Sequence, residues 1–298
     1  MGSVCSCVEQ FSDGSGPSWV QACERACWGF LGGLYPEFCP LCREPVVRRG
    51  GCRVHRLPRA ATGPRCTRCA ARLPSWFGGV SAGGGMSADG VRGAGQAEKQ
   101  ENGWLCRRCR RKPPRLARVH VAGDYRAGSR PLRAWCLRFK HGRRADLVGE
   151  LGPLLADGWL RARAADAWPA DGLVPVPLHW TRRLRRGYDQ ADLLAREVSR
   201  ESGIPVLRCL RRTRRTATQG ALGSGTRRSN VAGAFALVPK ARRDIAGRDL
   251  WLVDDVATSL ATAEACAQVL RANGARTISL LALARAEFRG RPAGGPTG

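Results

Sequence analysis

From about residue 115 onward the chain alternates between two hydrophobic periods. Short apolar runs at 119–125, 173–176, 249–253 and 277–284 read as strands buried on both faces. Between them, apolar positions recur every three or four residues at 131–140, 147–164, 190–202 and 261–273, the spacing of helices with one buried face. Gly203 and Gly274 stand just behind the last two helices, where a residue free to turn left-handed ends a helix. This alternation predicts an α/β domain over residues 115–286, with a mostly parallel sheet covered by helices. Residues 287–298 carry Gly and Pro throughout and read as a disordered tail.

The first 114 residues follow other patterns. Residues 1–38 read as a disordered lead-in followed by an amphipathic helix, whose stripe is Trp19, Ala22, Cys23, Ala26, Cys27, Phe30 and Leu34. Its polar face is not basic, so it reads as a packing helix rather than a membrane-surface one. No apolar run approaches the roughly 20 residues that span a bilayer, and no basic segment precedes an apolar one at the start. A cytoplasmic protein without membrane insertion is expected. Residues 39–114 are dense in Cys, Arg and Pro, interrupted at 78–103 by a Gly/Ala/Ser-rich stretch without periodicity that reads as a flexible insertion.

The chain holds 14 cysteines, and three Cys-x-x-Cys pairs stand out: Cys39/Cys42, Cys66/Cys69 and Cys106/Cys109. That spacing suits tetrahedral metal ligation in reducing surroundings better than a secreted disulfide scaffold. Cys52-Arg-Val-His55 lies between the first two pairs and can supply one thiolate and one imidazole. Two closed structural zinc sites are therefore expected, one from Cys39, Cys42, Cys52 and His55 and the other from Cys66, Cys69, Cys106 and Cys109. Zinc accepts this donor set without redox chemistry, and a closed four-ligand site leaves no position for a catalytic water. Cys52 and His55 as incidental residues remain the alternative at the first site.

A formal net charge of +26 points to polyanionic partners such as nucleic acid or phosphorylated substrates. Nearly all of it is arginine in a chain also rich in Ala and Gly, a composition that GC-rich coding produces as well, so charge alone assigns nothing. Arginine runs at 107–111, 182–186 and 211–215 can line a path for a nucleic-acid backbone or neutralise a pyrophosphate. No base-stacking aromatic is interleaved with them, and Trp104 reads first as a packing residue.

The most informative segment runs from Asp249 to Thr262. An apolar strand ends in Asp254 and Asp255, and a turn with Thr258 and Ser259 then leads into a helix. Turn amides and a helix N-terminus form a phosphate site, to which Thr258, Ser259 and Thr262 can add hydroxyls. The two carboxylates can accept bonds from a ribose diol and hold Mg²⁺ through water. The segment resembles the phosphoribosyl-pyrophosphate (PRPP) motif of type I phosphoribosyltransferases, an apolar strand followed by Asp-Asp-x-x-Thr-Thr-Gly-x-Thr. Leu173-Val-Pro-Val-Pro-Leu, then Arg185-Arg186-Gly187-Tyr188-Asp189-Gln190, is similar to the pyrophosphate-side segment of the ComF family of competence-associated, phosphoribosyltransferase-like proteins. Thr216, Gln219, Arg227, Arg228, Asn230 and Gly233-Ala234-Phe235 continue that resemblance, as do the cysteine knuckles ahead of the domain.

The resemblance implies a type I phosphoribosyltransferase-like fold behind a double zinc-knuckle module. It also implies a PRPP site at Asp254, Asp255, Thr258, Ser259, Leu260, Ala261 and Thr262, with a pyrophosphate side at Arg185, Arg186, Gly187 and Gln190. If the protein is a phosphoribosyltransferase, the implied chemistry is Mg²⁺-assisted displacement of pyrophosphate, with no general base named, because Thr258 stands where purine-salvage relatives carry an acid. The alternative is a non-catalytic module that binds single-stranded DNA or DNA-uptake proteins. Two departures from the pattern bear on this choice. Leu260 replaces the loop glycine, where a positive φ costs a leucine about 1–2 kcal/mol. Asp189 replaces an asparagine, which adds negative charge beside the expected pyrophosphate.

Overall fold

The computed structural model describes residues 39, 42, 44, 57, 64–73, 99–100, 103–125, 130–214 and 231–286. The chain divides into two compact units, Met1–Arg56 and Leu57–Gly298. The second holds the Cys66/Cys69 and Cys106/Cys109 pairs together with the α/β domain. The expected helix at 19–34, Cys52 and His55, the motif residues from Thr216 to Asn230 and the tail at 287–298 lie outside the described residues.

The cysteine segment of this unit contributes β1 (Lys99–Gln100), antiparallel to β2 (Gly103–Trp104), and the short helix α1 (Arg107–Arg111). The domain follows as β3 (Val119–Asp124), α2 (Arg130–His141), α3 (Val148–Asp166), β4 (Gly172–Pro175), α4 (Trp180–Arg186) and α5 (Gln190–Ser202). After these come β5 (Leu210–Arg212), antiparallel to β6 (Phe235–Leu237), then α6 (Arg242–Ile245), β7 (Asp249–Ala257), α7 (Ala261–Ala272) and β8 (Thr277–Arg285). The main sheet is fully parallel in the order β3-β8-β7-β4, with Leu280 beside both Val119 and Leu252, and Leu252 beside Val174.

Both faces of this sheet are buried, which is why its strands read as apolar runs. Along β7 and β8 alternate residues divide between the faces. Leu250, Leu252, Ile278, Leu280 and Ala282 join Ala263, Cys266, Ala267 and Leu270 of α7 in one core. Trp251, from the opposite face, lies 5.3 Å edge-on from Trp159 of α3 and 5.6 Å from Trp168 in a stack, and its indole Nε1 donates to Pro169 O at 3.0 Å. Fully burying such large rings against α3 stabilises that layer by about 2–3 kcal/mol each. Gly203 ends α5 at φ 72°, as its place in the sequence predicts.

The largest departure from the expected elements is at β7. Rather than stopping at Val253, it continues through both acids to Ala257, because Asp254, Val256 and Ala257 stay in register with Ala282, Ala284 and Arg285 of β8. The helix α4 and the β5–β6 pair were not legible as periodic segments. Among the described residues no helix is long and apolar enough to cross a membrane.

Candidate functional site

The carboxyl ends of the parallel strands bring together β7, the turn into α7, the C-terminus of α2 and the segment from α4 to α5. In open α/β sheets this end receives ligands. Asp254 and Asp255 project from the last turns of pleat in β7, one partly buried and the other buried. Each carboxylate accepts the amide that follows it, Asp255 N to Asp254 Oδ1 and Val256 N to Asp255 Oδ1, both at 2.8 Å.

Two adjacent buried acids cannot both ionise without a cation. Burial first, and the Asp255 charge second, push the Asp254 carboxyl up to about 8. Burial also opposes the charge on Asp255, but the Lys140 ammonium, 3.1 Å from Asp255 Oδ2, outweighs it and brings that carboxyl below its ordinary value. The same ion pair raises Lys140. Lys140 comes from the end of α2, in the run Phe139-Lys140-His141-Gly142, and sequence reasoning missed it. The available signal was a basic residue in the last turn of a helix whose neighbouring Phe139 is fully buried.

The α4–α5 segment closes the other side. Arg186 Nη1 donates to Gln190 Oε1 at 2.9 Å, its Nε is buried without a hydrogen-bond partner among the described residues, and burial works against its charge. Gln190 Nε2 in turn donates to Phe139 O at 3.2 Å, so this buried amide bridges Arg186 to the end of the helix that carries Lys140. The Tyr188 hydroxyl donates to the same carbonyl. Gly187 is exposed at φ 85° as the residue that ends α4, and Arg185 is exposed beside it. The Asp189 charge reaches this space, where it favours the Arg186 guanidinium, but its carboxylate is engaged by backbone amides. It caps α5, accepting from Leu178 N at 3.2 Å, Ala191 N at 3.1 Å and Asp192 N at 3.4 Å, so three backbone amides meet the negative charge that its sequence position adds.

In the turn, Thr258, Ser259 and Thr262 are partly buried and Ala261 is buried at the start of α7. Leu260 occupies the left-handed region at φ 63°, ψ 0° and still buries its side chain in the core shared by Ala257 and Ala261. The backbone thus keeps the conformation that glycine would favour, at a leucine's expense of about 1–2 kcal/mol.

On the sheet edge, Cys66, Cys69, Cys106 and Cys109 place all four sulfurs within 4.8 Å of one another. Tetrahedral zinc with bonds of about 2.3 Å sets sulfurs about 3.8 Å apart, and Cys69 Sγ lies 3.7 Å from Cys106 Sγ, so this donor set fits one zinc ion. Cys106 is driven well down by hydrogen bonding, first from Cys109 and then from Cys66 and Cys69, while Cys109 is driven up as donor to Cys106. A dication would remove that conflict by taking all four as thiolates. Of the other expected site, Cys39 is buried and Cys42 exposed, and its remaining ligands fall outside the described residues. Trp104 packs against the core beside the cysteines, as a packing residue should.

Comparison with known proteins decides the family. The chain is 36% identical over 187 residues to the DNA utilization protein YhgH of Escherichia coli O157:H7, covering 60% of this chain and 77% of that protein. It is 33% identical over 186 residues to Competence protein F of Haemophilus influenzae, covering 61% of this chain and 78% of that one. The chain belongs to the ComF family. No protein-family model matches it. Among solved structures it is similar to the phosphoribosylpyrophosphate synthetase of Mycobacterium smegmatis at 18% identity and a TM-score of 0.28, over 45% of this chain and 33% of that one. It is also similar to the glutamine PRPP amidotransferase of B. subtilis at 19% identity and a TM-score of 0.29, over 47% and 26%. Those overlaps are too slight to carry weight. The type I phosphoribosyltransferase-like α/β class of this ComF member rests on the parallel sheet, its strand order and the family kinship.

Proposed function

We propose that this ComF-family chain binds Mg²⁺·PRPP, or a closely related sugar phosphate, at the β7–α7 turn, in a cytoplasmic protein linked to DNA uptake. The observation that carries the reading is the acid pair Asp254/Asp255 at the carboxyl end of a parallel strand, ion-paired to Lys140 and within electrostatic reach of Arg186. The amides and hydroxyls of residues 258–262 would receive the 5′-phosphate, the acids the ribose diol, and Lys140, Arg185 and Arg186 the pyrophosphate. Two carboxylates are too few for a protein cage of Mg²⁺, so they suit an ion carried in on the pyrophosphate with water in its remaining positions. Cations on the leaving group and carboxylates beside the sugar are also what phosphoribosyl transfer requires as positive charge builds on the ribose. A second zinc site at Cys39, Cys42, Cys52 and His55 completes the reading.

Titration calorimetry with Mg²⁺·PRPP tests it. Saturable heat is expected from the wild type, and Asp254→Asn combined with Asp255→Asn should lower affinity more than tenfold without unfolding the protein. Absence of heat from the wild type overturns the reading.

A second reading is favoured by α4. Trp180 and Leu184, one turn apart, are 64% and 74% exposed, with Arg182, Arg183 and Arg185 on the same helix. An exposed aromatic therefore stands immediately before one arginine run, a neighbour that the sequence expectation did not weigh. A base stacked on such a ring gains about 1–3 kcal/mol, while arginines follow the phosphates. Anisotropy with a labelled oligonucleotide should show salt-sensitive binding that Trp180→Ala weakens at least fivefold; equal affinity of the two proteins would remove this reading.

A further inference from the structure

The cysteine cluster and the candidate phosphate turn meet at one buried side chain. Arg285, the last residue of β8, is 6% exposed. Its Nε donates to Cys69 O at 2.8 Å, and its Nη1 donates to Ala257 O at 2.8 Å, to Thr258 O and to Ala286 O at 3.1 Å. These four bonds go to backbone carbonyls; burial works against the guanidinium charge, and the neighbouring Cys69 and Cys109 sulfurs favour it. A guanidinium is suited to this task because its donors lie in one rigid plane, so fixing one edge fixes the other.

We infer that Arg285 is a positioning residue that transmits the order of the metal-loaded cysteine knuckle to the turn at 257–259. In a trans peptide the C=O and N–H point in opposite directions. Holding the carbonyls of Ala257 and Thr258 on the Arg285 side therefore turns the amides of Thr258 and Ser259 away from it, out of the core. Cys69 is both a ligand in the four-sulfur cluster and the residue whose carbonyl anchors Nε. Binding a metal immobilises the Cys66–Cys69 turn, and with it the guanidinium and the two outward amides. Further contacts make the knuckle an extension of the sheet rather than an appendage: Val119 N donates to Thr67 O at 3.0 Å, and the Arg65 guanidinium pairs with the Asp124 carboxylate through two bonds of 2.9 Å. The inference rests on the proposed phosphate site only for the ligand those amides serve; the mechanical link stands apart from it.

Hydrogen exchange and metal release together test both levels. In the wild type, stripping zinc with a chelator should speed exchange of the Ala286 and Glu264 amides, which donate to the turn carbonyls Ala257 O and Leu260 O, about tenfold or more. In Arg285→Gln those amides should exchange fast with or without zinc, while the variant keeps its stoichiometric metal. Arg285→Lys, which keeps the charge but loses the planar fork, should behave like Arg285→Gln, and it serves as the check if the glutamine variant is unstable. Linkage adds a reciprocal readout: Mg²⁺·PRPP should slow zinc release from the wild type and not from either variant. Indifference of these two amides to metal in the wild type overturns the link. Metal-sensitive amides in a protein that shows no PRPP binding would leave the link in place and remove the ligand.

Discussion

Replacing Leu260 separates two effects that oppose each other at one residue. The buried side chain contributes packing, and deleting a buried leucine to alanine costs about 2–5 kcal/mol. The backbone at φ 63° costs about 1–2 kcal/mol that only glycine escapes. Leu260→Ala loses the packing and keeps the strain. Leu260→Gly loses the packing and relieves the strain, for a net loss of about 0–4 kcal/mol. The expected order of stability is therefore wild type, then glycine, then alanine, with the two variants separated by about 1–2 kcal/mol. Ordinary helical propensity places glycine about 1 kcal/mol below alanine, so the order is opposite to that of an unstrained site. Urea unfolding with unchanged m-values reads it directly. Under the proposed function, calorimetry should also show tighter Mg²⁺·PRPP binding by Leu260→Gly, since the turn then meets a phosphate without a Cβ. An alanine variant as stable as the glycine variant would refute the left-handed assignment. A glycine variant more stable than the wild type would show that the leucine packs poorly.

Other consequences follow from the same geometry. A double-mutant cycle between Lys140→Met and Asp255→Asn should give a coupling of about 1–3 kcal/mol in unfolding free energy, the lower part of the range for buried pairs because Lys140 is about one-third exposed; additive losses would mean that the pair is solvated. Burial first, and the Arg65 charge second, hold His120 down to about 4, and its Nε2 is buried without a hydrogen-bond partner among the described residues. Its folded value lies below the unfolded one, so the stability it contributes is full above pH 6.5 and lost as pH falls through 4, by about 3 kcal/mol in all. His120→Phe should flatten stability across that window, and an unchanged profile would count against a neutral buried imidazole. Metal analysis of the full chain should find two zinc ions, falling to one in Cys109→Ser; one zinc in the wild type would remove the Cys52/His55 ligands from the proposal.

Much of this was legible in the sequence because burial leaves periodic marks. The four main strands are sandwiched between layers, so each reads as an apolar run, and the helices α2, α3, α5 and α7 each leave a stripe. Asp254 and Asp255 were conspicuous for the opposite reason, as charges that interrupt such a run. The extension of β7 past them was hidden, since two consecutive acids before Val256 and Ala257 resemble the start of a turn until the partner strand β8 supplies the register. The helix α4 has no buried residue and therefore no stripe, so its exposed Trp180 was invisible as a surface feature.

The residues that organise the site from behind were illegible for a more general reason. Lys140 and Arg285 act on charges or backbone groups far away in sequence: Lys140 lies 115 residues from Asp255 and Arg285 lies 216 from Cys69. A local pattern can show that a residue is out of place, as it did for Asp189, but not which amides wait for it. Asp189 read as a charge against the ligand and turned out to cap a helix. Arg285, at the end of an apolar strand, gave no warning that its guanidinium is buried. A buried charge is tolerated only where oriented dipoles or opposite charges meet it. The fold supplies those dipoles from Cys69, Ala257 and Thr258, and that requirement ties the knuckle to the turn: separating them would leave a cation in the protein interior without its acceptors.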